Sequence, residues 1–207
     1  TQPGSDNVWH DDLALIKLAS PVSGVAAYDL YTGALDGQTL ALAGYGAGGD
    51  GTTGATLSAN PNVKRVGQNR VDVLLVDDDA GGTQHEIYVF DFDGPDASSN
   101  VYGADMSPNL TLGAGVEAQF AGGDSGSPVF VNDNGRWKIA GIAAFNGSTT
   151  GLPGSNVLFG AVGGGTTSTP YQTWIAQNSA PVPETETYLL FLTGLGLIGV
   201  ITCRRSL

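Results

Sequence analysis

Short runs of branched and aromatic residues recur along the chain, separated by clusters of Gly, Asp, Asn and Ser. They span residues 13–18, 38–43, 71–76, 86–92, 127–131, 137–143 and 157–162. Each run has strand length and is bounded by turn sequences such as Gly48-Gly49-Asp50-Gly51 and Asp133-Asn134-Gly135. Glycine reaches positive φ in such turns, and Asp and Asn bond their own backbone. Amphipathic helical periodicity is scarce, so the pattern predicts an all-β sandwich or barrel. One helix is expected over 169–177, with Thr169 as its cap, Pro170 in the first turn and Trp174-Ile175 docked on the core.

Composition narrows this picture. At 207 residues and 41% hydrophobic, the chain can build a sizeable core, which excludes disorder throughout. With 32 glycines and 10 prolines it is turn-rich, unlike a long-helix protein. A net charge of −12 leaves no basic face for nucleic acid, so no nucleic-acid partner is expected. The single cysteine, Cys203, allows no disulfide within residues 1–202 and no cysteine metal site. Charge also divides the chain near residue 180. Residues 1–180 carry six basic and eighteen acidic side chains, whereas residues 181–207 are neutral.

The last 27 residues form a different kind of segment. Pro181-Val182-Pro183-Glu184 opens a stiff polar stretch. Residues 188–202 then run for fifteen positions without a charge, ending at Cys203-Arg204-Arg205. A membrane span needs about 20 residues, but flanking side chains snorkel and bilayers thin. A single transmembrane-type helix is therefore expected, with the arginines cytoplasmic and residues 1–180 on the far side; a buried C-terminal helix is the alternative. The order Pro-Glu, apolar span, Arg pair resembles the PEP-CTERM sorting tail of Gram-negative bacteria. The third motif position departs, reading Pro183-Glu184-Thr185. The resemblance implies a sorting motif of Pro183, Glu184, Arg204 and Arg205. It also implies export, transient membrane anchoring, removal of the tail by an exosortase-type enzyme, and a final location at the cell surface or outside the cell.

The chemistry of the globular part points to Gly122-Gly123-Asp124-Ser125-Gly126-Ser127-Pro128. Glycines on both sides of Asp124-Ser125 permit tight backbone geometry, and consecutive amides there can form an anion-binding nest. Acyl transfer needs a nucleophilic hydroxyl beside such N–H groups, which receive the oxyanion. Ser127 replaces the second glycine of a Gly-x-Ser-x-Gly elbow, and no alternating βαβ pattern is present, so an α/β-hydrolase is excluded.

Gly-Asp-Ser-Gly-x-Pro resembles the nucleophile motif of the trypsin-like, chymotrypsin-fold serine peptidases. The segment Asp11-Asp12-Leu13-Ala14-Leu15-Ile16-Lys17-Leu18 is similar to the family's aspartate segment, with Asp11 as an alternative to Asp12. Leu42-Ala43-Gly44-Tyr45-Gly46 is similar to the opening of the second barrel, and 139–145 to the strand after the nucleophile. Tyr171-Gln172-Thr173-Trp174-Ile175 resembles the C-terminal helix. The resemblance implies Asp12 and Ser125 as catalytic residues and the N–H groups of Gly123 and Ser125 as the oxyanion hole. It makes Asp124 the partner of a new N-terminus in an activation ion pair. It places Gln119, Ala144, Phe145 and Asn146 at the substrate, where a neutral amide at Gln119 argues against an Arg/Lys-selective pocket.

The implied general base has no match. His10 lies two residues before Asp12, and His85 falls between aspartate and nucleophile, so both are expected at the surface. The chain starts at Thr1 without methionine. The expectation is thus a truncated chain lacking most of the first barrel and the catalytic histidine, and inactive alone. The implied fold is a chymotrypsin-like double β-barrel with a short C-terminal helix. Residues 1–35 would be a remnant of the first barrel and its linker, 36–180 the complete second barrel and helix, and 181–207 the tail. The expected activity is that of an exported serine endopeptidase acting on protein or peptide substrates. The alternative is a catalytically inactive surface or matrix binding protein. No cofactor or metal is expected; the acidic runs at 77–79 and 91–96 read as solvated turns rather than a calcium loop.

Overall fold

The computed structural model describes residues 8–76, 82–103, 111–113, 115–148, 157–179 and Thr193. A first compact unit ends at Thr173 and a second begins at Trp174. Among its described residues the first unit has nine strands: β1 (Thr39–Gly44), β2 (Gly48–Asp50), β3 (Gly54–Leu57), β4 (Arg65–Arg70), β5 (Val73–Val76), β6 (His85–Asp91), β7 (Pro128–Asp133), β8 (Arg136–Ser148) and β9 (Ala161–Thr167). One short helix, α1 (Gln172–Ser179), follows. The chain is all-β in character, as its hydrophobic pattern predicts.

Seven strands form one antiparallel sheet in the order β4-β1-β7-β8-β9-β6-β5, and β2-β3 form a separate hairpin. Turn chemistry sets the β7-β8 hairpin: Asn134 and Gly135 take φ of 53° and 84° between paired Asp133 and Arg136. Such a two-residue turn needs positive φ at both positions, which Asn-Gly supplies. The two edge strands, β4 and β5, are consecutive in sequence and separated only by Val71 and Asp72. A link that short spans about 11 Å at most, so the sheet curls until its edges converge. At this corner the Val71 N–H donates to Gln38 O, beside β1, and the Asp72 N–H donates to Val89 O of β6. Among the described residues no ladder joins the two edges.

The concave face buries Leu35, Leu40, Leu42, Val71, Tyr88, Phe90, Phe120, Val129, Val131, Ala140 and Ala143. In β1 and β7 the inward residues alternate with less buried ones, the period-2 pattern of a strand with one face on the core. A smaller cluster packs Phe92, Ala121 and Val157 with Phe159, whose ring lies 4.8 Å from that of Phe92.

Several expectations are corrected. Residues 13–18 form no strand, and Ile16 and Leu18 are 86% and 58% exposed. The strand expected over 157–162 instead covers Ala161–Thr167, with Gly163, Gly164 and Gly165 in its middle. Strands β2, β3 and β4 were not expected from the sequence. The helix starts at Gln172 rather than near 169, and Thr169 does not cap it: its hydroxyl is buried without a partner. No residue of α1 is buried. The expected apolar helix 188–202, apart from helical Thr193, lies outside the described residues. So do Pro183, Glu184, Arg204 and Arg205. Among the described residues, no helix is long and apolar enough to cross a membrane.

Candidate functional site

The loop carrying Ser125 leaves Phe120, which is buried in the core, and runs into β7. Two tight turns shape it. The Asp124 N–H donates to Ala121 O at 3.0 Å, and the Ser127 N–H donates to Asp124 O at 2.9 Å. Gly123 and Gly126 take φ of 98° and 78°, conformations that side chains with a Cβ rarely adopt. The loop is pinned to β8 by a reciprocal pair: Gly126 N–H to Ala143 O and Ala143 N–H to Ser127 O, both 2.8 Å. Ser125 stands exposed at the tip. Among the described residues, neither the Gly123 nor the Ser125 N–H donates to any acceptor, and the Ser125 hydroxyl is likewise unpartnered. A hydroxyl next to two unspent N–H groups is the minimum apparatus for attacking a carbonyl and receiving its oxyanion.

Asp124 faces away from this tip. Its Oδ1 accepts from the Gly46 N–H at 2.7 Å and its Oδ2 from the Ala121 N–H at 3.0 Å. It lines a cavity of about 400 Å³ together with Gly44, Arg65, Glu117, Gln119 and Phe159. Close packing explains the neighbouring glycines: a Cβ on Gly46 would lie 2.5 Å from the Asp124 carboxylate. Neither Ser125 nor residues 144–146 line the cavity, so it is a compartment behind the Ser125 loop.

The expected substrate residues meet along β8 and β9, where Gln119 also borders the cavity. Ala144 is the extra residue of a bulge, because Ala143 pairs with Gly165 and Phe145 with Gly164. Asn146 pairs with Gly163, and its Nδ2 donates to Phe120 O at 2.9 Å. Gln119 packs over the face of Gly163; its Oε1 accepts from the Phe120 N–H, and its Nε2 donates to Ala161 O at 3.4 Å. The structure thus brings Gln119, Phe145 and Asn146 to one stretch of β8 and β9.

Asp12 is exposed and held through its backbone, its carbonyl accepting from Thr166 Oγ1 at 3.4 Å. Thr166 pairs with Ile142, one residue from the Ala143 anchor of the Ser125 loop. Asp11 adopts φ 55° and its Oδ1 accepts from the Tyr171 hydroxyl at 2.7 Å. Burial raises the Tyr171 hydroxyl above its ordinary range, and the carboxylates of Asp11 and Glu86 add to this.

The two histidines differ from each other. His85 is exposed, as expected. His10 is corrected: it is only 4% exposed and its Nδ1 lies 3.2 Å from Oε2 of buried Glu86. Neither histidine bonds Ser125 among the described residues.

The acidic run is also corrected. Asp91 and Asp93 are buried rather than solvated, and with buried Glu117 they bring carboxylate oxygens within 4.8 Å of one another. Burial raises the Asp91 and Glu117 carboxyls, with the charge of Asp93 adding to both. Neighbouring Asp72 is pushed up to about 8, chiefly by burial. The sequence held one overlooked signal: Asp91 and Asp93, two apart on an extended segment, point to one face. Residues 77–79 lie outside the described residues.

No protein-family model matches the chain, and no curated protein matches it.

Proposed function

We propose that this chain is the larger part of an exported serine endopeptidase with a chymotrypsin-like double β-barrel. One observation carries the reading: Ser125 stands on a tightly turned, strand-anchored loop beside the unspent N–H groups of Gly123 and Ser125. In this reading Ser125 Oγ attacks the scissile carbonyl while a histidine takes its proton. The carbonyl oxygen becomes an oxyanion held by the two N–H groups. Collapse expels the amine, which receives the proton from the histidine. Water, deprotonated by the same base, then hydrolyses the acyl-enzyme and restores Ser125. Asp12 orients the histidine and stabilises its charged form. Because His10 is engaged by Glu86 and His85 does not bond Ser125, we place the base upstream of Thr1.

The remaining roles follow from the same reading. The cavity beside Asp124 receives a freed N-terminus, whose ammonium pairs with the carboxylate and sets the oxyanion loop. The polar groups of Gln119 and Asn146 are occupied by backbone partners and supply no carboxylate for a cationic side chain, which favours uncharged residues on the acyl side of the scissile bond. Residues 181–207 serve as a sorting tail that anchors the protein in the membrane until cleavage near Glu184. Exposed Ile16, Leu18, Val22 and Val25 support a first barrel packed against this surface.

An inactive binding protein is the second reading, favoured by the absence of any base bonded to Ser125 among the described residues. Peptide turnover by the protein expressed from its whole reading frame separates the two. We expect cleavage after uncharged residues at least about tenfold faster than after Arg or Lys. Turnover that is absent, or strongest after Arg, would reject the peptidase reading or its specificity. For the tail, intact mass of the secreted protein should end near residue 185; a secreted form retaining Leu207 would rule out processing.

A further inference from the structure

We propose that Asp91, Asp93 and Glu117 hold a calcium ion. The three carboxylates come from the end of β6, the residue two beyond it, and the segment leading to the nucleophile loop. One oxygen from each lies within 4.8 Å of the others, a spread that fits a calcium shell, where opposite ligands at about 2.4 Å are some 4.8 Å apart. Burial makes the arrangement demanding. Asp91, Asp93 and Glu117 are 2%, 4% and 9% exposed, and no basic side chain pairs with them among the described residues. Asp93 Oδ1 is buried with no hydrogen-bond partner at all. A buried carboxylate oxygen without a donor is costly, and a cation is the group that would satisfy it.

The other oxygens are already held in place. Asp91 Oδ2 accepts from the N–H groups of Val101 and Tyr102 at 2.5 and 3.0 Å. Glu117 Oε2 accepts from the Asp93 N–H at 2.8 Å, and Oε1 from the Leu112 N–H at 2.7 Å and Thr111 Oγ1 at 3.2 Å. The donor set is therefore rigid and made of oxygen alone, with no imidazole or thiolate, which selects a hard cation over zinc. Asp72 Oδ2, accepting from the Asp91 N–H at 3.0 Å, adds negative charge close by. A bound ion would tie the end of β6 to the 117–121 segment. This holds whether or not Ser125 is catalytic.

Calorimetric titration and thermal unfolding of the chelator-treated 207-residue chain with calcium chloride test the site. We expect one ion per chain with Kd at or below about 10⁻³ M. Tm should rise by about 3–10 °C at 10 mM calcium, on the order set by linkage. Asp93→Asn should melt at or above the parent in chelator, because it removes an unpaired buried charge, yet lose the calcium-dependent gain. Glu117→Gln should weaken calcium binding by more than about tenfold. Absence of both binding heat and Tm shift in the parent would overturn the site. So would a calcium gain that survives in both variants.

Discussion

Ser125→Ala, made in the protein with its upstream region, should lower peptide turnover by about 10⁴–10⁶-fold and leave Tm unchanged. The size follows from the role proposed for the hydroxyl: without it no acyl-enzyme forms, and only the oxyanion N–H groups and substrate binding remain. The unchanged Tm follows from the position. Ser125 is exposed at the loop tip, and its hydroxyl has no partner among the described residues, so the fold loses no contact. Turnover that falls less than about tenfold would mean that another residue is the nucleophile.

Gly165→Ala should be the most damaging single-methyl change in the seven-stranded sheet. Gly165 sits mid-strand in β9 between β8 and β6, paired with Ala143 on one side and Tyr88 on the other. An added Cβ would overlap the Ile142 carbonyl oxygen and lie 2.9 Å from the Ala144 N, at the bulge. Both are backbone atoms of a strand carrying the Ala143 anchor, so relief requires shifting the ladder itself. Overpacking of this kind costs about 3 kcal/mol or more, which for a domain of this size lowers Tm by about 6–12 °C. Gly122→Ala is the control, because a Cβ there meets nothing within 4 Å. A Gly165→Ala protein melting within about 1 °C of the parent would show that β9 is misplaced.

Those glycines also mark where the sequence misleads. A Gly-Gly-Gly run reads as a turn, so the strand expected over 157–162 stops where β9 continues. Only the approach of neighbouring backbones on both sides makes glycine the fitting residue, and that is a tertiary fact. Strand β4, Arg65-Val66-Gly67-Gln68-Asn69-Arg70, hides for a related reason. Its inward residue Asn69 is polar, and its burial depends on Nδ2 donating to Asp91 O at 2.7 Å and Ala118 O at 2.9 Å. No hydrophobic alternation signals such a strand. By contrast β1, β6, β7 and β8 are legible because apolar side chains and an Asn-Gly turn act locally.

The site divides in the same way. The Ser125 loop is visible in sequence because its glycines and its serine are contiguous. The placement of Gln119 beside Gly163, and of Asp124 beside Gly46, requires the fold. The His10–Glu86 contact joins residues 76 apart, and the Asp93–Glu117 pair spans 24, so neither carries a local pattern. The strand expected at 13–18 has the right residue types, yet among the described residues it finds no neighbour to pair with.

The central claim is that Ser125 is an activated nucleophile, and covalent labelling tests it most directly. The protein expressed from its whole reading frame is treated with a fluorophosphonate probe, digested, and mapped by tandem mass spectrometry. We predict a single adduct on Ser125, prevented by Ser125→Ala. An adduct on any other residue, or none in a folded full-length protein, would contradict the assignment.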